Sequence, residues 1–372
     1  MEKIKIKMNQ YVSWETLAKI KATWIILLGG RNNGKSFSVK EYLIRRFLKN
    51  GEEFAYIRRY KEDCKQYMVQ EYFSDIICDK DGINHLSEWT GGKYNLIVTW
   101  NSGIYLGFLN EETGKVERGP CCGRMFGLSW STHYKSLSFP KIQTAVYEEF
   151  ITDQEYLTNE VKILMNLMST IFRDREGKVF LVGNTISRIN PFTKEWSLKG
   201  LPKQQPNTID YYTYKFKDST GKESTNKIAV YMTHSRDTNS GMFFGNAAKT
   251  ITSTVWETEE SDTLQVDRTE CELLHTVVFK YDDNMFLMEF LELPDGVVTW
   301  YVSPKTTPIK KDTRVVSNEL ILSEYATQMF KGLTESEQKT FQYLKDGRIL
   351  FSDNLTATEY KQCYGMIRKV AW

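Results

Sequence analysis

Eight residues near the N-terminus, Gly29-Gly30-Arg31-Asn32-Asn33-Gly34-Lys35-Ser36, set a lysine and a hydroxyl at the end of a glycine-framed turn. They follow the apolar run Trp24-Ile25-Ile26-Leu27-Leu28 and precede a helical pattern. Strand, glycine loop and helix in that order form a phosphate cradle. The glycines let backbone N–H groups approach phosphate oxygens, and a helix start adds partial positive charge. Lys35 can bridge the β- and γ-phosphates of a nucleotide, and the Ser36 hydroxyl can ligate Mg2+. Gly29, Gly30, Arg31, Asn32, Asn33, Gly34, Lys35, Ser36 and Phe37 are therefore the candidate nucleotide-binding residues.

A phosphate loop needs an acidic partner for its metal. Val146-Tyr147-Glu148-Glu149-Phe150 supplies two carboxylates at a strand end, where adjacent residues point to different sides. Glu148 is assigned to Mg2+ and Glu149 to activation of the water that attacks the γ-phosphate. The second acid favours ATP hydrolysis over a nucleotide kinase, whose acceptor is not water. The apolar run 179–183 ends at Asn184, which can sense the γ-phosphate or position the water, or else cap the next segment.

Phe172-Arg173-Asp174-Arg175-Glu176 closes a helical pattern, and its two arginines lie on roughly opposite sides. One of them could reach a neighbouring subunit's phosphates and stabilise transition-state charge. The plainer alternative is a basic helix end answering the helix dipole. Spacing does not choose between Arg173 and Arg175. Basic clusters at Arg45-Arg46, Arg58-Arg59-Tyr60-Lys61 and Lys310-Lys311 are candidate DNA contacts, of which Arg58, Arg59, Lys310 and Lys311 are singled out; a charge run is otherwise a solvated face. The histidines His85, His133, His234 and His275 form no ligand spacing or triad.

The elements that must hold these residues alternate between strand and helix over the first 200 residues, the pattern of an α/β domain with a mainly parallel sheet. Strands are expected at 23–28, 53–58, 94–100, 103–109, 143–148 and 179–183, and helices at 36–49 and 157–172. The apolar stripe of the second helix is Leu157, Val161, Leu164, Met165, Met168, Ile171 and Phe172. Trp100-Asn101-Ser102-Gly103 reads as a hairpin turn. Two prolines in 200–207 suggest a boundary, giving a domain at 1–205, a polar linker subdomain at 206–261 and a C-terminal domain at 262–372. That last domain mixes short strands with helices, and Pro294-Asp295-Gly296 is its plainest hairpin signal.

A net charge of +2 gives no global polycation, so nucleic-acid contact must come from local patches. No apolar run approaches the roughly 20 residues that span a bilayer, and no membrane partner is expected. The N-terminus MEKIKIKMNQ lacks the apolar centre of a signal peptide, which points to an intracellular chain. Cys64, Cys78, Cys121, Cys122, Cys271 and Cys363 show no CxxC spacing and read as reduced thiols.

The segments LLGGRNNGKSFSVKEYLIRRFLKNGEEFAYIRRYK, VYEEF, NEVKILMNLMSTIFRDRE and LVGNTISRINP, in that order over residues 23–191, resemble the DNA-packaging (encapsidation) ATPases of small tailed bacteriophages that prime replication from a terminal protein. The resemblance implies a P-loop ATPase of the additional-strand, catalytic-glutamate class, using ATP and Mg2+. It implies a homomeric ring, a pentamer, at the portal of an empty capsid in the host cytoplasm, pumping double-stranded DNA inward, with a packaging RNA as a further candidate partner. The family's loop residues match Lys35 and Ser36, its acidic pair matches Glu148 and Glu149, and its trans-acting arginine falls on Arg173. A trans-acting lysine falls near Lys135. Family members carry Asp-Glu where this chain has Glu148-Glu149, a longer side chain that still reaches Mg2+ through water. A fainter similarity implies a ribonuclease-H-like domain from about residue 262. Its acids Asp282, Asp283, Glu289, Glu292 and Asp295 make no clean two-metal cluster, since 289 and 292 have opposite parity; a vestigial nuclease is expected. The rival readings are a terminase with a live nuclease and an adaptor that binds ATP without turning it over.

Overall fold

The computed structural model describes residues 2–5, 11–30, 33–110, 112–152, 156–185, 190–217, 221, 223–233, 261–282, 284–309, 313–317, 326–328 and 335–368, which form two compact units, Met1–Glu257 and Thr258–Trp372. Arg31, Asn32, His234, Asp283, Lys310 and Lys311 lie outside the described residues.

In the first unit the strands are β1 (Glu2–Lys5), β2 (Trp24–Leu28), β3 (Glu53–Arg58), β4 (Leu96–Trp100), β5 (Gly103–Leu109), β6 (Val116–Gly127), β7 (Ile142–Glu148), β8 (Lys178–Gly183), β9 (Thr208–Lys217) and β10 (Glu223–Met232). They make one sheet in the order β1-β9-β10-β2-β8-β7-β3-β6-β5-β4. The central run from β10 to β6 is parallel throughout, and antiparallel strands flank it on both sides. Strand β8 lies between β2 and β7, which is the additional strand that the resemblance implied.

The sheet is buried on both faces, so its strands are apolar runs rather than alternations. Along β2, Ile26 and Leu28 face one core and Ile25 and Leu27 the other. Helices α1 (Trp14–Lys19), α2 (Lys35–Asn50), α3 (Gln66–Tyr72), α4 (Ser74–Ile77) and α5 (His85–Thr90) cover the second face. Helices α6 (Glu160–Phe172) and α7 (Pro191–Glu195) cover the first. Helix α2 buries Val39, Tyr42, Leu43 and Ile44 at three- and four-residue spacing and stops at Gly51 in the left-handed conformation. Helix α6 buries Val161, Leu164, Leu167, Met168, Ile171 and Phe172, whereas Met165, expected in the stripe, is exposed at its flank.

The described residues of 208–232 correct the expected boundary near 205. They do not form a linker but pair as β9 and β10, and β10 adds to β2 in parallel. The polar residues that suggested a linker, such as Thr213, Lys215, Glu223 and Thr225, lie toward the turn end of the hairpin, beyond the stretches that pair with β1 and β2, where they are exposed. The Asn101 turn is as expected: Asn101 takes φ 52° between antiparallel β4 and β5. The cysteines among the described residues are free thiols. No helix of the described residues is long and apolar enough to cross a membrane.

The second unit holds β11 (Glu272–Tyr281), β12 (Asn284–Glu292), β13 (Val298–Pro304), β14 (Arg314–Ser317), β15 (Ala326–Gln328), α8 (Glu335–Lys345), β16 (Ile349–Phe351) and α9 (Asn354–Arg368). Its sheet runs β15-β14-β11-β12-β13-β16. Strands β11 to β13 form an antiparallel meander, with Gly296 (φ 81°) in the expected Pro294-Asp295-Gly296 turn. Strands β14 and β15 continue from β11 in parallel. Trp300 is fully buried, stacked on Phe341 and donating its indole N–H to Thr340 O at 2.8 Å.

Candidate nucleotide-binding site

The loop leaves β2 through Gly29, whose φ of 149° and position demand glycine: a Cβ there would sit 2.1 Å from Thr233 Oγ1. Thr233 follows β10 and donates its N–H and hydroxyl to Leu28 O at 2.7 and 2.8 Å. Asn33 Nδ2 donates to Thr233 Oγ1. Gly34 is left-handed (φ 78°) at the start of α2, and the Tyr11 ring lies over it.

Lys35 gathers these pieces. Its Nζ donates to the carbonyls of Gly29 and Gly30 at 2.9 and 2.6 Å, to Asn33 Oδ1 at 3.1 Å and to Asn184 Oδ1 at 3.3 Å. The last bond brings the end of β8 to the loop lysine. Phe37 is placed differently from the other loop residues: its ring meets His85 edge-on in the helical layer, so only its backbone faces the loop's helix start.

Ser36 Oγ donates to Glu148 Oε2 at 3.3 Å, and the Tyr72 hydroxyl donates to Glu148 Oε1 at 2.5 Å. Glu148 is only 5% exposed. Burial pushes its pKa up, while the Tyr72 hydrogen bond and the charges of Lys40 and Arg58 pull it down. A hydroxyl and a carboxylate so close together are hard oxygen donors, the set that suits Mg2+. Glu149 turns the other way, in a left-handed conformation (φ 55°) with its side chain 67% exposed, and Arg58 Nη2 donates to its Oε2 at 2.6 Å. The two neighbouring carboxylates thus separate into a buried position at the end of β7 and an open one in the left-handed turn that follows it.

The basic pair Arg58-Arg59 does not form a DNA-contacting cluster. Arg59 is 6% exposed and pairs with Glu160 at 2.8 and 3.0 Å, while donating to the carbonyls of Glu149 and Phe150. Glu160 also accepts from Tyr147 OH at 2.7 Å and Leu157 N at 2.9 Å. This network locks the turn after β7 onto the start of α6. Arg58 is held by Glu149 at the rim of the site. Removing one member of a fully buried pair leaves its partner charged in a dry place. Glu160→Leu is expected to destabilise the first unit by about 3 kcal/mol, read as a lower denaturant midpoint; a midpoint like wild type's would show that the network is dispensable.

At the far end of α6 the structure separates the two arginines. Arg175 donates to the carbonyls of Pro140, Ile142, Phe139 and Ile171 at 2.5 to 2.9 Å, which ties its guanidinium to its own chain. Arg173 is exposed, has φ 51°, and among the described residues its side chain donates once, to Leu137 O at 3.1 Å. Lys135, also exposed, lies two residues along the chain from Leu137, whose carbonyl accepts from Arg173. Sequence reasoning missed Thr233 and Tyr72, which lie far along the chain from the groups they touch; no local motif marks either.

A phosphate loop on β2, an inserted β8 and two glutamates ending β7 define a P-loop NTPase fold of the additional-strand, catalytic-glutamate class. The family model described as podovirus DNA encapsidation protein (Gp16) matches residues 8–90 and 119–227, just over half of the chain, and the chain belongs to that family. It is 33% identical over 170 residues to the DNA packaging protein of Bacillus phage B103, covering 45% of each chain. It is 32% identical over 170 residues to that of Bacillus phage phi29, covering 45% of this chain and 44% of the relative. The matched region thus spans less than half of these relatives. A chain of the phi29 viral genome packaging motor assembly superposes with a TM-score of 0.54 at 21% identity, covering 96% of this chain and 99% of that one. That agreement establishes the shared fold.

Proposed function

We propose that this protein is an ATP-driven translocase that packages double-stranded phage DNA into a procapsid through its portal. The observation that carries the reading is the convergence of Lys35, Ser36, Glu148, Glu149 and Asn184 at one end of the parallel sheet in a member of this family. Lys35 and the loop amides bind the β- and γ-phosphates. Ser36 and Glu148 hold Mg2+, which neutralises developing phosphate charge when bound. Glu149 leaves Arg58 to take a proton from the attacking water, and Asn184 orients the γ-phosphate or that water.

Arg173, exposed after the end of α6, reaches a neighbouring subunit's site with Lys135 as a second candidate, which makes the working form a ring. The pentameric count, a packaging RNA and action at the portal vertex in the host cytoplasm rest on the family resemblance. The strand order of the second unit supports a ribonuclease-H-like domain. Glu289, one of its acids, is paired with Arg268 at 2.7 and 3.1 Å, which supports a vestigial nuclease rather than an active one.

Lys35→Ala tests the site directly. Loss of nucleotide binding and of hydrolysis is expected, measured with a fluorescent ATP analogue and by phosphate release in the presence of DNA. Normal turnover in this variant would sink the assignment. Tight binding by the wild-type chain with no turnover, even with DNA present, would favour a non-hydrolysing adaptor.

A further inference from the structure

The geometry points to Tyr72 as the residue that positions the metal-facing carboxylate of Glu148. The inference rests on the nucleotide-site reading above and adds to it a residue that no loop or strand motif contains.

The two oxygens of Glu148 are divided between two hydroxyls. Oε1 accepts from Tyr72 at 2.5 Å, and Oε2 accepts from Ser36 at 3.3 Å. A glutamate has one more rotatable bond than an aspartate, and freezing such a side chain costs rotamer freedom. An anchor on Oε1 meets that cost before any ligand arrives and leaves Oε2 turned toward Ser36.

Tyr72 is itself fixed from several sides. Its ring packs at 4.7 Å from Tyr56 and edge-on at 4.9 Å from Phe73. The Lys40 ammonium lies 4.5 Å from the ring centre and donates to Tyr72 O at 2.6 Å. Lys40 in turn reaches both Asp75 oxygens at 2.7 Å. Lys40 sits four residues after Ser36, on the same face of α2. The contacts therefore close a ring: from Ser36 along α2 to Lys40, across to α3 and Tyr72, over to Glu148 on β7, and back to Ser36. A tyrosine serving only as core filler would need no hydroxyl directed at a buried carboxylate. Groups that orient metal ligands in this way change metal affinity about 10- to 100-fold when removed.

The test is a Mg2+ titration of the full-length chain loaded with a fluorescent ATP analogue, with a parallel measurement in EDTA. Tyr72→Phe removes one oxygen and keeps the ring. It is expected to bind the analogue in EDTA as wild type does and to need about tenfold more Mg2+ at the midpoint. In a Glu148→Asp background the carboxylate is shorter and withdraws from the phenol, so adding Tyr72→Phe is expected to move the midpoint by less than about twofold. An unchanged midpoint in the single variant overturns the role. So does an equal loss with and without Mg2+, which would mark Tyr72 as a brace for the fold alone. A wild-type chain whose binding of the analogue shows no Mg2+ dependence defeats the assignment of Ser36 and Glu148 to the metal, and the inference with it, whereas one that binds no analogue at all defeats the nucleotide-site reading.

Discussion

Glu149→Gln is expected to bind ATP within about twofold of wild type and to hydrolyse it roughly a thousandfold more slowly, the scale of losing a general base. The structure makes this a clean substitution. Glu149 is open to solvent and, among the described residues, its carboxylate is held by Arg58 alone, so the amide leaves the sheet, the loop and Glu148 untouched. Glu148→Gln should behave differently, because it removes a buried charge facing Ser36 and so weakens Mg2+-dependent binding as well as turnover. Single-turnover phosphate release and analogue binding on both variants separate the two roles. If Glu149→Gln kept near-normal turnover, another group would have to be the base.

Arg173→Ala is expected to lower DNA-stimulated ATP turnover by about 10^3-fold while nucleotide binding persists, as for an arginine supplied in trans. Arg175→Ala is expected instead to loosen the 139–142 segment from the end of α6, because three carbonyls of that segment and that of Ile171 lose this donor, and to show this first as reduced stability. A mixing experiment reads the trans role directly. Lys35→Ala subunits have a dead site and an intact Arg173, whereas Arg173→Ala subunits have the reverse. Co-assembled on DNA, the pair should recover part of the wild-type rate that neither has alone. Absence of any recovery, with assembly verified, would place Arg173 within its own subunit's site or outside catalysis.

Much of the site was legible because its groups are local. The phosphate loop is eight consecutive residues whose glycines, lysine and serine each have one structural reason, so Gly29 to Ser36 could be read without a partner. The acidic pair was legible as two neighbouring acids at a strand end; they do diverge, but through the left-handed turn at Glu149 rather than by strand alternation. The sheet's central strands were legible as apolar runs because both faces are covered. By contrast, Arg58 and Arg59 looked like a basic patch, since charge in a sequence does not say whether a carboxylate or carbonyl waits for it 90 or 101 residues away. The hairpin 208–232 looked like a linker because the polar residues toward its exposed turn end hid the parallel pairing of 228–232 with β2.

The sequence alone determined that this chain carries a nucleotide loop, a two-glutamate strand end and a helix ending in two arginines, because each depends on neighbours in the chain. Only the tertiary structure decided which arginine is available, by surrounding Arg175 with carbonyls and leaving Arg173 at the surface. It also decided what holds the loop and the buried acid, by bringing Thr233 beneath Gly29 and Tyr72 against Glu148. Those contacts join residues 76 to 205 positions apart, and at such separations only the packing of the sheet and its helices fixes which side chains meet.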